Sequence, residues 1–331
     1  MTKSTLIAGV FSLFITLSSC NLTQRSVDEN NQVELPSGAQ NFNISEASVR
    51  SNMEYLTADE LLGRETGTKG IEKAAVFIEK AFASAGIKPY YTTYRDSFEV
   101  KERTGYNIVG FLEGTDPKLK NEFVIIGAHY DHIGLGKVVN GDSIANGAND
   151  NAAGTVAVME LAKQFASERS NKRSMLFILF SAEEMGLVGA KHIATRLKNE
   201  GVGVYTMLSF EMIGVPMKDK DYLAYLTGYE ISNLAEKFNE YAGEKVLGFL
   251  PQAKQYSLFQ RSDNYPFYEE LKIPAQTIST FDFTNYEFYH HVSDEMQHMD
   301  TAHMTRLIES VVPGIKGMTN SAEKEIKITE Q

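Results

Sequence analysis

Three uninterrupted apolar runs limit what this chain can fold into. Phe123-Val-Ile-Ile126 leads into His129, Ser174-Met-Leu-Phe-Ile-Leu-Phe180 leads into Glu183, and residues 203–210 end at Glu211. A strand that is apolar at every position needs cover on both faces, which is the environment of a parallel sheet between two helical layers. The segments between the runs carry helical spacing. Thr68 caps a helix expected over 70–85, with Ala74, Phe77, Ile78, Ala81 and Phe82 on one face and Gly86 as its stop. A second helix over 151–166 turns Val156, Met159, Leu161, Ala162 and Phe165 inward, and a third covers 187–199. Further strands are expected at 91–100, 106–112, near 221–227 and near 274–281, and further helices near 230–242, near 263–271 and over about 300–317. Strands alternating with helices predict an α/β fold, an α/β/α sandwich with a mixed, mostly parallel central sheet. No internal repeat or linker divides residues 45–318, so one domain is expected there.

The ends of the chain read differently. Lys3 precedes an apolar stretch, Leu6–Leu17, of signal-peptide length and too short to span a membrane comfortably. It runs into Leu17-Ser18-Ser19-Cys20, which resembles a bacterial lipobox, and Cys20 is the only cysteine. No intrachain disulfide is therefore available. The resemblance implies a signal peptide over 1–19, lipidation of Cys20, and a membrane anchor in the bacterial cell envelope, periplasmic or outer-surface. Residues 20–44 are polar and read as a tether. A helix-spaced segment follows between Ile44 and Leu62, and a charged tail over 319–331 is expected to fray beyond Asn320. The net charge is −11 with no Lys/Arg-rich block, which argues against a nucleic-acid partner.

Polar residues gather where the strands end. His129 and Asp131 form His-x-Asp, Asp150 sits at a helix start, Glu183 and Glu184 are adjacent, Glu211 closes the third run, and His290 opens His-His-Val-Ser-Asp294. Imidazole and carboxylate without thiolate is the donor set of a catalytic metal centre. Two ions held ~3.5–4 Å apart need a bridging carboxylate. Asp150, short and at a helix start, suits the bridge. His129 and Glu211 could complete one ion, Glu184 and His290 the other. Glu183 is then left as general base, because neighbours on an extended segment point apart. Asp131 is expected to accept the second ring N–H of His129. Gly63–Gly70 lacks the Gly-x4-Gly-Lys-Ser/Thr spacing of a phosphate loop.

Taken together, His129-Tyr-Asp131-His, Gly147-Ala-Asn-Asp150-Asn-Ala-Ala-Gly, Phe180-Ser-Ala-Glu183-Glu184-Met-Gly-Leu, Glu211-Met-Ile-Gly and Tyr289-His290-x-x-x-Asp294 resemble the M28 zinc metallopeptidases of the bacterial leucyl-aminopeptidase group. Leu62-Gly63-Arg64-Glu-Thr-Gly67 and Arg261-Ser-Asp263-Asn-Tyr-Pro266-Phe resemble recurring segments of the same family, and the likeness runs in order over roughly residues 50 to 315. It implies a phosphorylase/hydrolase-like zinc-exopeptidase fold, two zinc ions, and removal of N-terminal residues from peptides by a zinc-activated water. His129, Asp150, Glu184, Glu211 and His290 are the implied ligands, and Glu183 the implied base. A cis peptide between Asp150 and Asn151 is implied as well. The chain departs from the family in having Glu211 where Asp is common, Asn151 where some members have Asp, and Phe259 where secreted members carry an oxyanion-stabilising Tyr. Tyr256, Tyr265 and Tyr289 are the candidates for contacting substrate. A single-zinc glutaminyl cyclase, a carboxypeptidase with the same metal core, and a non-catalytic surface binding lipoprotein are the alternatives. Oligomeric state is not readable from the sequence.

Overall fold

Each of the three apolar runs forms a strand in the middle of one sheet. The computed structural model describes residues 42–329. Its strands are β1 (Lys88–Pro89), β2 (Arg95–Val100), β3 (Arg103–Leu112), β4 (Phe123–His129), β5 (Leu135–Val139), β6 (Asp142–Ile144), β7 (Ser174–Phe180), β8 (Val204–Glu211), β9 (Ala224–Leu226), β10 (Leu247–Gly248) and β11 (Ala275–Ser279). The helices are α1 (Glu46–Leu56), α2 (Lys69–Ser84), α3 (Ala153–Glu168), α4 (Val188–Asn199), α5 (Leu234–Ala242), α6 (Pro251–Gln255), α7 (Asn264–Leu271) and α8 (Thr301–Asn320). The main sheet runs β1-β3-β7-β4-β8-β11-β9-β10, with β2 on the outside of β3. Its centre, β7-β4-β8-β11, is parallel. The β3–β7 and β11–β9 pairings on either side are antiparallel.

Strand alternation sorts the core into two layers. In β7, Met175, Phe177 and Leu179 face the layer built from α1, α2, α3, α5 and α8. Leu176, Ile178 and Phe180 face α4 and α7. Successive side chains on a strand point to opposite faces, so an all-apolar strand feeds both layers. The α/β/α sandwich follows from that pattern. Thr68 caps α2 through the Ile71 N–H, and Gly86 beyond its end has φ +77°.

Three features differ from the sequence reading. The loop between His129 and Asp150 contains a β5–β6 hairpin turned at Asn140-Gly141, both with positive φ. Asn-Gly between apolar positions was the available signal for that turn. Through residue 329 the tail is packed. Ile326 is buried and its N–H donates to the Tyr205 hydroxyl oxygen, Asn233 N–H donates to Lys327 O, and Thr329 N–H donates to Ile231 O. The charges of Glu-Ile-Lys-Ile point outward while Ile326 is covered, so net charge misjudged a segment whose apolar residues alternate. At the other end, Ile44 is already buried and Phe42 N–H donates to Ser167 Oγ, so the last residues assigned to the tether are packed. The signal peptide, Cys20 and the tether through residue 41 lie outside the described residues. Among the described residues no helix is long and apolar enough to cross a membrane.

Candidate metal centre

Parallel strands bring their C-terminal ends to one edge, where open α/β sheets bind ligands. His129 ends β4, Glu183 and Glu184 follow β7, Glu211 ends β8, and His290 lies in the long segment after β11. Asp150 comes from the irregular turn before α3, and its bond to Asn151 is cis. Ala182, Met212 and His290 have φ of +58°, +48° and +54°. Left-handed backbone at non-glycine residues costs of order 1 kcal/mol each and persists where the surroundings over-determine it.

The five predicted ligands converge around Asp150. His129 Nε2 lies 3.3 Å from Asp150 Oδ1 and 3.1 Å from Glu211 Oε1. His290 Nε2 lies 3.3 Å from Asp150 Oδ2 and 3.0 Å from Glu184 Oε2. His291 is not part of this cluster; its Nδ1 accepts from Ser293 N–H. The other ring nitrogen of His129, Nδ1, is 3.1 Å from the Asp131 carbonyl oxygen. A carbonyl only accepts, so Nδ1 carries the hydrogen and Nε2 of the neutral ring presents a lone pair. That lone pair faces two carboxylate oxygens in a buried site, an arrangement that a proton on Nε2 or a bound metal ion satisfies. Burial acts to raise the Asp150 carboxyl, but the imidazoles of His129 and His290 outweigh it and hold the group well below the ordinary range. The donor set of two imidazoles and three carboxylates, one bridging, fits a pair of divalent ions.

Asp131 acts differently from the expectation. Its carboxylate is 3.7 Å from His129 Nδ1, and the ring hydrogen bonds to its backbone carbonyl instead. Oδ1 accepts the Glu183 N–H at 3.2 Å, and Oδ2 accepts the Glu184 N–H at 3.4 Å and the Thr66 hydroxyl at 3.3 Å. Two backbone amides draw the carboxylate away from the ring, so Asp131 shapes the Glu-Glu turn. Burial lifts its carboxyl to about 6.

Glu183 is the acid left over. Its carboxylate makes no hydrogen bond or ion pair among the described residues. Burial pushes it well above the ordinary range; His129 opposes this, and the carboxylates of Asp263, Glu211 and Glu184 add to it.

Supporting contacts that the sequence did not reveal hold the predicted ligands in place. Asp294 accepts the N–H groups of Asn149 (2.8 Å) and Asp150 (3.0 Å) and the Tyr286 hydroxyl. Asn151 donates to Phe210 O and accepts from Gly154 and Met212 N–H, tying the start of α3 to the end of β8. Buried Arg64 donates to the carbonyls of Leu56, Tyr130, Asn146 and Gly147, joining the segments that carry His129 and Asp150. His132 is buried with Nδ1 2.9 Å from Glu184 Oε1.

Beside Glu211 opens a cavity of about 140 Å³, walled by Met212, Tyr225, Leu258, Phe281, Phe283 and Tyr289. Tyr289 lines it and stacks on the His290 ring at 4.0 Å. Tyr256 packs on Phe283 outside the lining, and Tyr265 belongs to a separate cluster with Phe259 and Tyr268. Of the aromatic run 281–289, Phe281, Phe283 and Tyr289 face the cavity, while Tyr286 and Phe288 pack beneath the His290 loop.

Residues 107–313 match peptidase family M28. The chain belongs to that family. This M28 chain is 27% identical over 235 residues to aminopeptidase YwaD of Bacillus subtilis, covering 69% of this chain and 48% of that one. It spans about half the length of the curated relatives it matches. Among solved structures, LapA aminopeptidase of Legionella pneumophila superposes with a TM-score of 0.65 at 21% identity, over 85% of this chain and 73% of that one. A glutaminyl cyclase of Porphyromonas gingivalis superposes with 0.64 at 15% identity, over 82% and 98%. At such identities the likeness concerns the fold.

Proposed function

We propose that this M28 chain is a two-zinc aminopeptidase with Glu183 as its general base. The observation that carries the reading is the pair of imidazole nitrogens, each facing two carboxylate oxygens and sharing Asp150, with the unpaired Glu183 alongside. Zinc bound there supplies a Lewis acid and lowers the pKa of water. The first position is assigned His129, Asp150 and Glu211; the second, Asp150, Glu184 and His290. Glu183 takes the proton of the water that attacks the scissile carbonyl and hands it to the departing amine. The cavity beside Glu211 receives the N-terminal side chain. Its volume suits a leucyl or phenyl group, since a cavity of about 150 Å³ holds a benzene ring, and its walls favour apolar ones. Tyr289 stands where it can contact the substrate carbonyl. The proposal includes the lipid anchor at Cys20, which would hold the enzyme on the cell envelope, periplasmic or outer-surface.

A panel of aminoacyl chromogenic amides, with chelator and zinc add-back, tests the activity. Large apolar residues are expected to be cleaved fastest, activity to vanish with chelator and to return with zinc. Glu183→Gln is expected to lower kcat by about 10²- to 10⁴-fold with metal content unchanged. Full turnover in that variant would remove the base assignment. Pyroglutamate formed from glutaminyl peptides, without amide hydrolysis, would instead favour the cyclase. Metabolic labelling with a fatty acid, lost in Cys20→Ser, checks the anchor.

A further inference from the structure

His132 stands apart from the other two imidazoles of the centre in one respect. His129 Nε2 and His290 Nε2 each sit between two carboxylate oxygens at 3.0–3.3 Å. His132 Nδ1 has one close oxygen, Glu184 Oε1 at 2.9 Å, while Asp150 Oδ2 is 3.8 Å away. One near acceptor and one distant one is the geometry of a hydrogen bond. An ionised carboxylate only accepts, so this contact is a hydrogen bond when Nδ1 carries the hydrogen, the tautomer that leaves no lone pair there for a metal. Glu184 is thus bracketed: Oε1 is held by His132, and Oε2 is turned toward His290.

The ring is seated firmly. It is 1% exposed, and its Nε2 has no partner among the described residues. The His132 N–H donates to Arg64 O, and a Cβ on Gly147 would stand 2.6 Å from His132 Cγ. Gly147, at φ +60°, leaves the space the ring occupies. A buried imidazole with one idle nitrogen is costly to retain unless the other nitrogen does something useful.

We propose that His132 is the positioning residue of the second metal position: its Nδ1–H fixes Glu184 so that Oε2, not Oε1, is offered to the ion. This rests on the two-metal reading above. Removing such a support costs about 10- to 100-fold in metal affinity, and here the loss should fall on one ion of the two.

The test uses the full chain stripped of metal and titrated with Co(II), followed by visible absorption and by competition with a chelator. The wild type should bind two ions. His132→Leu should bind the first as the wild type does and the second about 10- to 100-fold more weakly, with a changed absorption for that ion alone. His132→Asn, which keeps a donor where Nδ1 stood, should bind both close to wild type. His132→Gln, whose donor reaches the Nε2 position, should behave like His132→Leu. The Asn–Gln comparison decides the matter if the Leu variant does not fold. Equal weakening of both ions, an Asn variant no better than Gln, or undiminished binding by the Leu and Gln variants would each overturn the role while leaving the two-metal reading intact. A wild type that takes up no ion would overturn both.

Discussion

At the scale of single residues, the site depends on groups that both donate and accept. Asn151 is the clearest case, since its amide gives a hydrogen to Phe210 O and takes two from Gly154 and Met212 N–H. Aspartate supplies acceptors only. Asn151→Asp should leave Phe210 O facing a buried anion and destabilise the metal-free protein by about 1–3 kcal/mol, read from the midpoint of denaturant unfolding. Glu211, longer than the family's common Asp, reaches both His129 and the Ser262 hydroxyl. Its second oxygen is therefore held by Ser262 of the Arg-Ser-Asp segment, which gives that segment a local purpose.

At the scale of elements, the start of α8 combines a cap with a buried imidazole. Asp300 caps α8 by accepting the His303 N–H, while the His303 ring is buried with neither nitrogen paired. Burial lowers its pKa to about 4; Asp300 opposes that and Arg306 adds to it. In the unfolded chain the ring titrates near its ordinary value of about 6.5. Between these two values the unfolded chain binds more protons, so this contribution to stability is present above about 6.5 and is lost as pH falls toward 4. The loss is on the order of 3 kcal/mol. His303→Phe should flatten stability against pH in that window, as measured by urea unfolding of the metal-free protein at a series of pH values. Arg64 works between elements: one guanidinium closes four carbonyls from three segments, so helical or strand pattern alone could not place it.

At the scale of the whole molecule, the sheet has a chemical edge and a structural edge. His129 and Glu211, two of the proposed ligands, end β4 and β8, whereas Tyr205, at the start of β8, receives the C-terminal segment. Deleting residues 322–331 removes the burial of Ile326 and the backbone bonds to Ile231 and Asn233. The expected cost is about 2–4 kcal/mol, visible in the denaturant midpoint, while metal content should be unchanged because the deleted segment docks at the far end of the strand. Loss of bound metal on this truncation would show that the two edges are coupled.

The sequence by itself determined the layers and the donor chemistry. All-apolar strands such as Ser174–Phe180 demand cover on both faces, and imidazoles and carboxylates placed just past their ends reach one edge of any parallel sheet. Position at the strand ends made His129, Asp150, Glu184 and Glu211 candidates, and the resemblance to the M28 peptidases implied the ligand set. Only the tertiary structure decided which atom meets which. Asp131 gives its carbonyl, not its carboxylate, to His129; Tyr265 packs with Phe259 and Tyr268 outside the cavity; His132 is pressed onto Glu184 by Arg64 and Gly147; and Ile326 returns the tail to the sheet. Hydrogen bonds are satisfied over distances of about 3 Å between segments far apart in the chain, and a one-dimensional pattern holds no record of that convergence.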